Sequence, residues 1–230
     1  MTELINNPIF GIMISLMAFE IGSIVYKKTN CAIFNPLLIA ITLIIIFLLL
    51  FNINFDSYYK GGSIINFFLA PSTIVLAVPL YKKIKLLKAN AIPIICGILV
   101  GSSCGIITIF YLCKLFKLDS ALSISLLPKS ITTPIGIEIS KQLGGIPPVT
   151  VAAIIITGIM GAVIGPFVCK LFRIKDKVAV GISIGTASHA VGTTKAMELG
   201  ETEGAMSGLA IGIAGLMTVF LAPLLLKILS

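Results

Sequence analysis

Two polar stretches in the second half of an otherwise apolar chain hold the residues best suited to chemistry. They are Leu126-Leu127-Pro128-Lys129-Ser130-Ile131-Thr132-Thr133-Pro134 and Gly185-Thr186-Ala187-Ser188-His189-Ala190-Val191-Gly192-Thr193-Thr194-Lys195. Together they carry the single histidine, two lysines and a dense set of hydroxyls. Backbone left unwound at membrane depth is tolerated only where it is buried in protein or lines a wet cavity. Interrupted segments in corresponding positions of two halves mark the binding sites of transporters.

In the first stretch Ser130, Thr132 and Thr133 precede Pro134, a residue tolerated in the first turn of a helix because its missing N–H has no partner there. Thr133 therefore reads as the N-cap of a half-helix whose free amides face an anion such as a carboxylate. The other reading is a proline kink whose hydroxyls bond back to the preceding turn. Lys129 favours the site, because a cation inside a membrane marks a pathway or a partner. In the second stretch Gly181, Gly185 and Gly192 bracket Thr186, Ser188, His189, Thr193, Thr194 and Lys195. Gly192 is expected to break the element, with Thr193 or Thr194 capping a second half-helix through Ala196, Met197 and Glu198. Lys129 and Lys195 are each expected to balance a substrate carboxylate. His189 reads as a substrate- or proton-handling group, since an imidazole of ordinary pKa about 6.5 changes charge in the physiological range.

Glu20, in the middle of the first apolar run, is a second coupling candidate; it either pairs with a buried lysine or reaches for the interface. The coupling species expected is a proton or a sodium ion, with no other cofactor. One histidine without a second ligand nearby argues against a metal site. Glu138 fits a helix end in water, while Asp56, Tyr58 and Tyr59 read as an interfacial loop.

The elements that must position these residues follow from composition. Hydrophobic residues make up 57% of the 230 and charged ones 11%, and mean hydropathy is +1.12, which excludes a soluble domain. At about 20 residues per span there is room for roughly seven to nine hydrophobic elements, read as one integral membrane domain over 1–230. A net charge of +8 arises from short cationic clusters beside apolar runs, so it signals topology rather than nucleic acid. The five cysteines, odd in number and without CxxC spacing, read as packing residues. The start, Met1-Thr2-Glu3-Leu4, lacks a basic signal-peptide region, so the first run is expected to be kept as a span.

The expected fold is an all-α polytopic membrane protein with about six full spans and two interrupted, re-entrant segments. The spans are Pro8 to Tyr26, Ala32 to Phe51, Ser63 to Tyr81, Ala91 to Phe116, Val149 to Phe172 and Ala205 to Leu229; the interrupted segments lie near 121–143 and 178–199. Basic loops at Lys27-Lys28, Lys82 to Lys88 and Lys170 to Lys177 belong on the cytoplasmic side. That placement holds only if 121–143 returns to its own side, with 178–199 a second hairpin from the opposite face. Cys-Lys-Leu-Phe recurs at 113–116 and 169–172, and Pro166 recurs at Pro223, spacings of 56 and 57 residues. The chain then divides into scaffold spans 1–62 and three units of about 57 residues, 63–120, 121–177 and 178–230. In the first unit Pro71-Ser72-Thr73 holds the equivalent place. A unit of one hairpin plus one span crosses an odd number of times, so successive units are inverted, a transporter architecture.

No phosphate loop, metal cluster or nucleophile–base set points to an enzyme, and Ser188 and His189 are too close in sequence to converge as a triad. At 126–135 and 185–196 the chain resembles the CidB/LrgB family of bacterial membrane proteins. The resemblance implies a multi-pass protein of the bacterial cytoplasmic membrane, and two functions of different class. One is transport of small monocarboxylates of the pyruvate, glycolate, glycerate or lactate kind, since a chloroplast relative carries glycolate and glycerate and bacterial members are associated with pyruvate uptake. The other is antiholin-like control of murein hydrolase activity and autolysis. It also implies a small LrgA/CidA-like membrane partner and a homo-oligomer in the lipid bilayer. The residues favour alternating-access transport, because a lysis assembly has no need of two polar half-helix tips.

Overall fold

The computed structural model describes residues 5–29, 34–68, 71, 81 and 84–229. All the regular structure among them is helical. The helices are α1 (Pro8–Thr29), α2 (Pro36–Leu50), α3 (Phe55–Phe67), α4 (Ile84–Ala89), α5 (Ala91–Leu115), α6 (Ser120–Leu126), α7 (Thr133–Leu143), α8 (Pro147–Leu171), α9 (Lys177–Leu199) and α10 (Glu201–Leu229). Four of them, α1, α5, α8 and α10, are long and apolar enough to cross a membrane, and α2 is a shorter apolar helix. The expected span from Ser63 to Tyr81, with Ser72 and Thr73, lies largely outside the described residues, as does Cys31.

The chain falls into two compact units, Met1–Val75 and Leu76–Ser230. In the first, α1 packs on α2 and α3. Gly11 and Gly61 bring α1 and α3 into backbone contact, for a Cβ on Gly61 would lie 2.7 Å from the Ile12 amide nitrogen. Small residues at crossings allow this in lipid, where hydrophobicity alone does not drive helices together. Tyr58 and Tyr59 are therefore helical rather than part of an interfacial loop; Asn54 caps α3 through the Asp56 amide, and the Tyr58 hydroxyl shares a 2.9 Å hydrogen bond with Ser15.

In the second unit both interrupted segments reverse direction. The first consists of α6, a turn over 127–132, and α7. Across it the Ile146 amide donates to Ser125 Oγ at 2.6 Å and Gly136 lies against the Pro128 carbonyl. The second segment, α9, is broken at Ser188 (φ −136°, ψ 16°) and His189 (φ 43°, ψ −140°). Its first arm runs parallel to α10, Gly181 resting on Glu203 and Met206, and Gly185 on Ser207 and Ala210. Its second arm runs antiparallel to the same turns, with Met197 against Gly204 and Thr193 against Ser207.

The chain enters both hairpins in the same way. Helices α5 and α8 end in matching αL motifs: Lys117 has φ 54° and Arg173 φ 55°, and the Leu118 and Ile174 amides donate to the Cys113 and Cys169 carbonyls at 2.9 and 2.8 Å. Asp119 then caps α6 through the Leu122 amide at 3.0 Å, and Asp176 caps α9 through the Ala179 amide at 2.8 Å. Beyond each hairpin a buried hydroxyl pair ties the second arm to the next long helix, Ser140 to Thr150 and Thr193 to Ser207, both at 2.7 Å. Pro166 and Pro223 lie inside those helices.

Candidate functional site: a cavity headed by Lys129

A cavity of about 510 Å³ lies between α5, the tip of the first hairpin and the first arm of the second. Along α5 it is walled by Ile94, Gly97, Gly101 and Gly105, spaced three or four residues apart so that one helical face lines it, with Ser102 beside Gly101. Asn90 and Asp176 stand at the beginnings of α5 and α9, and Thr218 comes from the middle of α10. The first hairpin contributes Leu127 to Ile131.

Lys129 is the cationic group in this wall. It is half-buried, and its Nζ donates to Ser130 Oγ at 3.2 Å. Among the described residues, no carboxylate lies within ion-pair distance of it. Across the cavity Thr186 is buried and its Oγ1 has no hydrogen-bond partner, while its methyl faces Gly101. The Lys129 ammonium, with no carboxylate beside it and Ser130 Oγ adjacent, gives this concave wall a site for an anion with oxygen acceptors, whereas Thr186 Oγ1 is itself buried. Thr218 also faces the cavity, but its hydroxyl is already bonded to the Ala214 carbonyl at 2.7 Å.

Lys129, Ser183 and Ala187 also border a second cavity of about 500 Å³ against α8, lined mostly by apolar residues together with Thr157 and Ser188. The first arm of the second hairpin thus separates two cavities at Lys129.

The break of the second hairpin lies at Ser188–His189, three or four residues before the expected position at Gly192. Gly192 has helical backbone and serves another purpose: any Cβ there would collide with Ser188 Oγ across the turn. Ser188 Oγ bonds back to the Ile184 carbonyl at 2.6 Å, and His189 Nε2–H donates to the Ile154 carbonyl of α8 at 2.8 Å. Neither is aimed at the other, so they form no nucleophile–base pair. His189 occupies a backbone region that costs a non-glycine residue on the order of 1–3 kcal/mol. Glycines on α8 make this possible, with Gly158 under the imidazole and Gly161 under the Ser188 side chain.

The other expected site residues divide by location. Thr132, rather than Thr133, is the N-cap of α7; it makes no side-chain cap bond, and Thr132, Thr133 and Pro134 are not part of the cavity wall. Thr193 is buried against Ser207, whereas Thr194 is exposed and bonds the Val191 carbonyl. Lys195 pairs with Glu198 at 2.7 Å on a partly exposed face. Glu20 is exposed on α1, in the other unit, and exposed Glu138 accepts from Gln142 at 3.3 Å. Sequence reasoning missed Ser102, Ser183 and Thr218 in the wall. The spacing of Gly97, Gly101 and Gly105 was the available signal for the α5 face. It also missed Glu203, which is buried at the start of α10 with Oε2 unpartnered.

The chain matches the LrgB-like family over residues 15–228. It is 40% identical over 219 residues, 95% of both chains, to "Antiholin-like protein LrgB" of Bacillus cereus (strain B4264). The protein of the same description from Bacillus anthracis (strain CDC 684 / NRRL 3495) matches with the same identity and coverage. No solved structure matches the chain. A match along almost its whole length, joined to four apolar helices of spanning length, makes this multi-pass membrane protein a member of the LrgB-like family.

Proposed function

We propose that this protein binds small monocarboxylates, of the pyruvate, glycolate, glycerate or lactate class, at Lys129 and carries them across the cytoplasmic membrane by alternating access. The observation that carries this reading is the Lys129 ammonium, without a carboxylate partner among the described residues, in the wall of the cavity. A half-buried cation without a counter-charge is costly, and a carboxylate arriving through the cavity supplies that charge. The matching entries into the two hairpins, with Asp119 and Asp176 as caps 57 residues apart, support two re-entrant hairpins in inverted repeats about the site. A proton or a sodium ion would drive uptake.

The second reading is an antiholin-like modulator of murein hydrolase activity that acts through assembly with copies of itself or a small LrgA/CidA-like membrane partner. The descriptions of the relatives favour it more directly than they favour transport. Uptake of radiolabelled pyruvate or glycolate by proteoliposomes of the purified protein separates the two. Saturable uptake supports the carrier; none of these acids entering above protein-free vesicles leaves the antiholin-like reading.

A further inference from the structure

We propose that His189 is a positioning residue: its imidazole pins the tip of the second hairpin to α8 and thereby sets Thr186 and Ala187 in the cavity wall. This rests on the cavity assignment above but gives His189 neither a substrate contact nor a proton to carry.

Four observations converge on it. His189 is 5% exposed and its ring nitrogen Nε2 is committed, at 2.8 Å, to the Ile154 carbonyl. It is absent from the linings of both cavities that flank the hairpin, although Ala187 and Ser188 border one or both. Its backbone (φ 43°, ψ −140°) lies where glycine is the ordinary occupant, so the surrounding contacts must hold it there. Finally, α8 is cut to receive it: a Cβ on Gly158 would lie 2.6 Å from the ring Cε1 and 2.7 Å from Nε2. A histidine chosen for titration needs a path for protons, whereas this one has a fixed carbonyl acceptor and a glycine seat. Ser188 forms the break together with His189, and Thr186 lies two residues before it, so the tip's orientation fixes where the Thr186 side chain sits.

The test uses the full-length protein with its five cysteines replaced and a single Ala187→Cys reporter, read by the rate of modification with a water-soluble maleimide. This readout does not require transport, so it stands even if no acid is carried. His189→Gln keeps a donor near the Nε2 position and should label within about twofold of the parent. His189→Leu and Gly158→Ala, which remove the donor and displace the ring, should each change the rate about tenfold, the scale of one lost buried hydrogen bond. If the carboxylate reading holds, KM should follow the same order while folded yield of the Gln protein is unchanged. Parent-like labelling of both His189→Leu and Gly158→Ala overturns the assignment. So does a Gln protein that folds yet labels or transports as poorly as the Leu protein, since the donor would then not be what matters.

Discussion

Replacing Thr186 with valine should raise stability and lower affinity together, an uncommon pairing that follows from one unpaired atom. Valine keeps the branched shape and the methyl that faces Gly101, and removes only Oγ1, which is buried without a partner. A buried hydroxyl without a hydrogen bond costs about 1–3 kcal/mol. Recovering about 1 kcal/mol of that should raise the unfolding temperature by about 2–4 °C in a chain of this size. If the hydroxyl turns to meet a substrate oxygen, its loss costs about 0.5–1.5 kcal/mol of binding, or roughly twofold to twelvefold in KM. Thermal unfolding of the purified protein and uptake kinetics in proteoliposomes measure the two halves. A protein that melts lower than wild type, with KM unchanged, would show that Oγ1 has a partner within the fold and no part in the site.

Lys195→Ala should leave KM within about twofold of wild type and cost less than about 1 kcal/mol of stability, because Lys195 is held by Glu198 on a partly exposed face. Gly161→Ala should destabilise by about 1–3 kcal/mol, since the new methyl meets the Ser188 side chain, whereas Gly212→Ala, with open space around it, should be neutral or slightly stabilising in a melting assay. Thr193→Val and Ser207→Ala should each cost about 1 kcal/mol, and the double variant less than their sum, because they share one 2.7 Å hydrogen bond.

Segments with local causes were legible from the chain. Pro147 and Gly144 bound the α8 start and the α7 end as proline and glycine rules require, and the apolar runs of α5 and α8 were placed within two residues. The two polar stretches contain the departures from helix, the turn over 127–132 and the break at Ser188–His189, although the rest of 185–195 is helical. What sequence could not supply was proximity. Gly192 looked like the break because glycine tolerates unusual backbone, yet its missing side chain makes room for Ser188 across the turn. His189, the residue that takes the left-handed conformation, is held there by Ile154, which lies 35 residues earlier. Glu203 reads as an ordinary first-turn acid of α10, yet it is buried, its backbone against Gly181 and its carboxylate against Gly200. Lys195 has Glu198 three residues on, a helical neighbour that pairs with it at 2.7 Å, whereas nothing in sequence shows that Lys129 faces a cavity. The aspartate caps Asp119 and Asp176 were visible before the hairpins, 57 residues apart, and would have strengthened the repeat.

The central claim, a carboxylate held by Lys129, is met most directly by equilibrium binding of radiolabelled pyruvate and glycolate to the purified protein and to its Lys129→Met variant. A charge-assisted hydrogen bond contributes about 1.5–3 kcal/mol, so methionine should weaken binding at least about tenfold. The variant should fold at least as well as wild type, because a half-buried ammonium with no carboxylate partner among the described residues has been removed. Saturable binding to wild type, lost in Lys129→Met and kept in Lys195→Ala, is the result expected. Binding that survives unchanged in a folded Lys129→Met protein, or no saturable binding to wild type of either acid, would contradict it.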